Sequence, residues 1–126
     1  MTTILHITTR EAWTESQATG KYAPDSLKIE GFIHFSTAQQ VEQVANNFYH
    51  GQRGLVLLVV DTERLRARLE WEPPVHPASA SVEMPPIAGE LFPHLYGALN
   101  TDAVVKVVDF EPDDEGEFSV PESLEE

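Results

Sequence analysis

The chain reads as an α+β protein. Helical patterns fall in its first half and strand patterns dominate its second, an order that departs from regular β–α alternation. Val41, Val44, Ala45 and Phe48 stand at i, i+3, i+4 and i+7, the apolar stripe of an amphipathic helix. Leu55 to Val60 is continuously apolar and half β-branched, which suits a central strand covered on both faces. At 126 residues the length is that of one domain, and 41% hydrophobic residues suffice for a core.

Taken in order, Thr3 to Ile7 is expected to form a strand. Thr8-Thr9-Arg10-Glu11 then matches a capping box, opening a helix from Thr9 to Thr19 with Gly20 at its C′ position. Residues 21–30 form a connector turned by Pro24 and Asp25-Ser26, with Leu27 and Ile29 tucked inward. Gly31 to Thr37 is a second strand. Its alternation sets Phe32, His34 and Ser36 on one face and Ile33 and Phe35 on the other. Thr37 caps the next helix, with Gln40 as its reciprocal partner, and that helix runs from Ala38 to His50.

After the central strand, Asp61 to Leu65 looks like a cap and a short helical turn, and Leu69 to Glu72 like an edge strand halted by Pro73-Pro74. Residues 75–89 are rich in proline and small residues and carry no periodicity, as a loop or lid would. Leu91 to Leu99 places His94 among apolar residues, and Val104 to Phe110 alternates as the last strand. Residues 1–110 are therefore expected to fold as one α+β domain, and residues 111–126 to form an acidic, flexible tail.

Composition narrows the function. The net charge is −13, but nine of the 21 acidic residues lie in the last 18 positions, which contain no Lys or Arg. The remainder carries 12 acidic and eight basic residues and is only mildly acidic. No basic patch is visible, which disfavours nucleic-acid binding by phosphate neutralisation. No apolar run approaches the ~20 residues of a membrane span. No basic stretch followed by an apolar one marks a secretory signal. Zero cysteines exclude disulfides, thiolate metal sites and a cysteine nucleophile. A cytoplasmic location fits these absences; the oligomeric state is open.

Chemistry points to the histidines. His50 sits at a helix end, where a cation suits the dipole, and His76 lies in the proline-rich segment. His6, His34 and His94 each stand among apolar residues and close to Thr8, Ser36, Thr37 or Tyr96. Taken singly, each reads as a satisfied, half-buried histidine. Together they suggest one shared polar pocket. A metal site built from His6, His34 and His94 is one alternative, although no short-spaced histidine pair supports it. Ser36 lacks a nucleophile-elbow context, and no phosphate-binding glycine loop exists. Glu30 and Glu83 read as solvated carboxylates, whereas Glu90 is the candidate acid or base nearest His94 in sequence. Such a pocket suits recognition of a ribose or pyrophosphate by directional hydrogen bonds.

The stretches Ile4-Leu5-His6-Ile7, Glu30-Gly31-Phe32-Ile33-His34-Phe35-Ser36-Thr37, Val44-Ala45-Asn46 and Phe92-Pro93-His94-Leu95-Tyr96-Gly97 resemble a small bacterial family called domain of unknown function nine-five-two. The resemblance spans residues 3–110. That family is grouped with the ADP-ribosyltransferase-like superfamily, which implies a split, curved β-sheet flanked by two to three helices around an NAD cleft. By that resemblance His6 and Thr8 match the pattern that contacts a ribose, and His34 with Ser36 matches the second-strand pair. His94 or Tyr96 stands where a late strand usually carries a catalytic glutamate, with Glu90 just before. The resemblance implies an NAD-like substrate rather than a resident cofactor. Taken with the residues themselves, this reading makes His34, His94 and Glu90 the catalytic candidates and His6, Thr8, Ser36, Thr37 and Tyr96 the ligand-binding ones. A non-catalytic module for a nucleotide-like metabolite and a structural or toxin-neutralising partner with the tail as its arm are the remaining alternatives.

Overall fold

The computed structural model describes residues 2–72 and 91–119. The chain runs β1 (Thr3–Thr9), α1 (Arg10–Thr19), β2 (Lys21–Tyr22), α2 (Asp25–Ile29), β3 (Ile33–His34), α3 (Val41–Phe48), β4 (Leu55–Asp61), a 3₁₀ turn (Thr62–Arg64), β5 (Arg68–Glu72), β6 (Phe92–Tyr96), β7 (Leu99–Asn100), a second 3₁₀ turn (Thr101–Ala103) and β8 (Val104–Phe110). The fold is α+β, and the described strands form three antiparallel sheets.

The largest sheet has the order β1-β4-β8. Every residue of β4 is buried, as its unbroken apolar run requires of a strand flanked on both edges and covered on both faces. Its alternation feeds two separate cores. Val56, Leu58 and Val60 join Ile4, Trp13, Tyr22, Ile33, Phe35, Leu95 and Leu99. Leu55, Leu57 and Val59 join Leu5, Ile7, Val41, Ala45, Phe110 and Phe118.

A second three-stranded sheet has the order β3-β6-β5, and β2 pairs with β7 alone. The Gly31–Thr37 stretch connects the two three-stranded sheets rather than forming one long strand. Ile33 and His34 pair with Leu95 and His94 of β6, and two residues later Ser36 bridges to Leu5 of β1. The expected alternation holds in outline, since Ile33 and Phe35 enter the first core while His34 stays half-exposed.

Local signals place several elements a residue or more from expectation. Thr9, not Thr8, caps α1 by accepting from the Ala12 amide, while Gly20 closes the helix in the left-handed region. Thr37 and Gln40 make the expected reciprocal bonds, yet regular helix begins only at Val41 and ends at Phe48. The expected connector contains β2 and α2. Leu27 does pack against the first core, but Ile29 is 67% exposed because it ends α2 on the solvent side.

The acidic segment departs most from expectation. Residues 111–119 dock rather than fray. Phe118 is 2% exposed and stacks on Phe110 with ring centroids 4.7 Å apart. Asn46 of α3 clamps the Phe118 backbone, accepting from its amide at 2.7 Å and donating to its carbonyl at 3.1 Å. The Gly51 amide donates to the Gly116 carbonyl. A phenylalanine amid the acids supplies an apolar anchor whose burial stabilises by about 2 kcal/mol. Residues 120–126, and the 75–89 segment with His76, Glu83 and nearby Glu90, lie outside the described residues.

Candidate functional site

The site lies on one face of the β3-β6-β5 sheet. Strand alternation puts His94 and Tyr96 of β6 on the same face, and Arg68, Glu70 and Glu72 of β5 likewise share one. His34 stands directly opposite His94 in the β3–β6 register, so both imidazoles meet, with ring centroids 5.6 Å apart. Phe32 stacks on His94 at 4.2 Å and lies 5.4 Å from the Tyr96 ring. Leu95 and Leu69 belong to the opposite, core side.

Two histidine–carboxylate pairs occupy this face. The His94 Nδ1–H donates to Glu72 Oε1 at 2.8 Å, and the Tyr96 hydroxyl donates to the same oxygen at 2.5 Å. These two bonds hold the Glu72 carboxyl below the usual carboxylate range, although its side chain is 36% exposed. The shared carboxylate pushes the Tyr96 phenol up. His94 is nearly enclosed, and burial outweighs its carboxylate partner to bring its pKa down. In the second pair the His34 Nε2–H donates to Glu30 Oε1 at 2.9 Å. Arg68 covers the Tyr96 ring at 4.7 Å and pairs with Glu70 at 3.2 Å.

His6 stands apart from this face. Its Nδ1 lies 2.6 Å from the His34 carbonyl, which can only accept, so the proton sits on Nδ1. Nε2 then accepts from the Tyr22 hydroxyl at 2.7 Å, and the Thr8 hydroxyl, 3.0 Å away, completes the relay by donating to the Tyr22 oxygen. Burial lowers the His6 pKa to about 4 and raises the Tyr22 pKa to about 12. His6 is thus a neutral, fully satisfied link between β1, β2 and β3.

The structure therefore brings His34, His94 and Tyr96 together and leaves the other expected residues outside that group. His6 meets residue 34 only through its carbonyl, and Thr8 bonds to Tyr22. Ser36 is buried where its backbone pairs with Leu5, and the Thr37 hydroxyl accepts from the Gln40 amide. A three-histidine metal centre is not formed. Both His6 nitrogens are already committed, and among the described residues no group of three or more His, Cys, Asp or Glu side chains could hold a metal ion.

Sequence reasoning passes over Glu72 and misreads Glu30, whose side chain is 13% exposed and paired with His34, as a solvated carboxylate. Glu72 looked like part of an edge strand, and its partnership with His94 depends on the β5–β6 register, which local sequence does not encode. Glu30 carried a readable signal. It lies four residues before His34 with Gly31 between them, and Gly31 adopts a φ of 88° that lets the chain fold the carboxylate back.

Comparison with known proteins agrees with this architecture. Among curated proteins none matches. The crystal structure of protein CC0527 from Caulobacter crescentus has a TM-score of 0.80 and 31% identity, covering 99% of this chain and 100% of that one. The solution structure of CC0527 has a TM-score of 0.75 and 31% identity, covering 98% and 97%. The family model described as "Protein of unknown function (DUF952)" matches residues 7–107, a span that contains β3, β5 and β6, and the chain belongs to that family.

Proposed function

We propose that the outer face of the β3-β6-β5 sheet binds NAD or a related nucleotide and acts at the bond between nicotinamide and ribose, in the manner of an ADP-ribosyltransferase-like enzyme. One observation carries this reading. Glu72 presents a carboxylate whose Oε1 is fixed by two donors, while Oε2 has no partner among the described residues. Cleavage of an N-ribosyl bond develops positive charge at the ribose, and a preorganised, ionised carboxylate stabilises that charge. The lowered pKa keeps Glu72 anionic at neutral pH. Glu72 thus takes the part that the resemblance leaves without a clear residue. The half-buried Tyr96 ring supplies flat apolar surface for a heteroaromatic ring, backed by the buried Phe32, and Arg68 supplies a cation near it.

Incubation with NAD, with nicotinamide release followed by chromatography, tests this. Wild type is expected to release nicotinamide, and Glu72→Gln to bind NAD still while losing about 10²-fold or more in turnover. Binding without release in wild type leaves a nucleotide-binding module, and absence of both binding and release refutes the reading.

A further inference from the structure

The second histidine–carboxylate pair, His34 with Glu30, is not needed to break the bond to nicotinamide. Nicotinamide leaves as a neutral pyridine and requires no proton. Glu72 with His94 and Tyr96 accounts for the developing cation. A separate imidazole with its own carboxylate, 5.6 Å from His94 between ring centroids, is then left for the incoming nucleophile.

We propose that His34 is the general base that activates a neutral hydroxyl nucleophile, water or an alcohol, with Glu30 as its positioning residue. The inference rests on the reading of Glu72 given above. The Nε2–H bond to Glu30 fixes the neutral ring in the tautomer that leaves Nδ1 unprotonated. Nδ1 has no partner among the described residues, and no buried side-chain nitrogen or oxygen is left without one, so Nδ1 is open to solvent. The His34 side chain is 25% exposed, whereas that of His94 is 2% exposed and spends Nδ1 on Glu72. The open imidazole is the one able to meet a nucleophile.

The step balances. The nucleophile's O–H proton passes to His34 Nδ1 as its oxygen bonds to C1′ of the ribose. The C1′–N bond breaks, its electron pair neutralises the pyridinium nitrogen, and nicotinamide departs. His34 then releases the proton to water. An acceptor that is already anionic, such as a carboxylate, needs no base, so the His34–Glu30 pair marks the acceptor as a hydroxyl.

The test uses that difference. Nicotinamide release from NAD is measured for wild type, His34→Asn and Glu30→Gln, with and without sodium azide, an anionic nucleophile that carries no proton to remove. Both variants are expected to lose about 10²-fold in turnover at unchanged NAD affinity. Azide is expected to restore His34→Asn and to yield the ribosyl azide, while leaving wild type unaccelerated. Glu30→Gln separates the base role from any folding defect at His34, because it keeps the imidazole. Undiminished turnover in His34→Asn, or a loss that azide does not restore, overturns the base role and leaves the Glu72 reaction standing. No release by wild type overturns the proposed function and this role with it.

Discussion

Glu72 and His94 are joined diagonally across the β5–β6 pair. His94 faces Glu70 and Glu72 faces Phe92 in the register, yet the imidazole Nδ1–H reaches the Glu72 Oε1 at 2.8 Å. This diagonal puts an ionised carboxylate and a neutral imidazole on one strand pair, with Tyr96 closing the group from two residues along β6.

Tyr96→Phe removes one of the two donors to Glu72. The Glu72 carboxyl is then expected to titrate at higher pH than in wild type, which carbon-13 NMR of the carboxyl group measures directly. The sign follows from linkage. A depressed folded-state pKa contributes stability above the unfolded carboxylate range, and that contribution disappears as pH falls through the folded value. The variant should therefore lose less stability on acidification than wild type. A midpoint that stays put contradicts the shared-oxygen geometry.

His6 makes acid costly in the opposite residue class. Its pKa is about 4 when folded against an ordinary 6.5, so the unfolded chain takes up a proton first as pH falls. Stability is complete above about 6.5 and declines down to about 4, a difference of about 3 kcal/mol. Urea denaturation of wild type and His6→Gln checks this. The advantage of wild type at pH 7 is expected to shrink by about 3 kcal/mol at pH 4, and a constant difference refutes the neutral relay.

Phe118 tests the docked acidic segment. Phe118→Ala is expected to cost about 3 kcal/mol in chemical denaturation, because the ring packs on Phe110 within the second core. A cost below about 0.5 kcal/mol would mean that the segment contributes nothing to the fold.

Gly97 ends the Phe-Pro-His-Leu-Tyr-Gly stretch for a steric reason. A Cβ there would sit 2.7 Å from the Ala67 Cβ. Gly97→Ala is expected to destabilise by about 2 kcal/mol, and adding Ala67→Gly should recover only the part due to the contact, because the φ of 158° disfavours any side chain at this position. Additive costs in the double variant would dismiss the contact.

Much of this architecture is legible in the sequence. The β4 run, the apolar stripe of α3, the Thr37–Gln40 capping box and the Gly20 helix stop are all encoded within a few residues. What escaped depends on distant pairing. The docking of Phe118 needs Asn46, 72 residues away, and the roles of His34, His94 and Glu72 appear only once β6 lies between β3 and β5. His6 shows the converse. A histidine on an apolar strand next to hydroxyl residues looks reactive in sequence, but Tyr22 and the His34 carbonyl satisfy both ring nitrogens.

The central claim is that His34 and His94, with Glu72, form the ligand face while His6 is structural. Histidine ring NMR during titration with NAD tests it most directly. Ring resonances of His34 and His94 should shift saturably while those of His6 and His50 stay within line width. Saturable shifts confined to His6 or His50, or no shift of any histidine at saturating NAD, would contradict it.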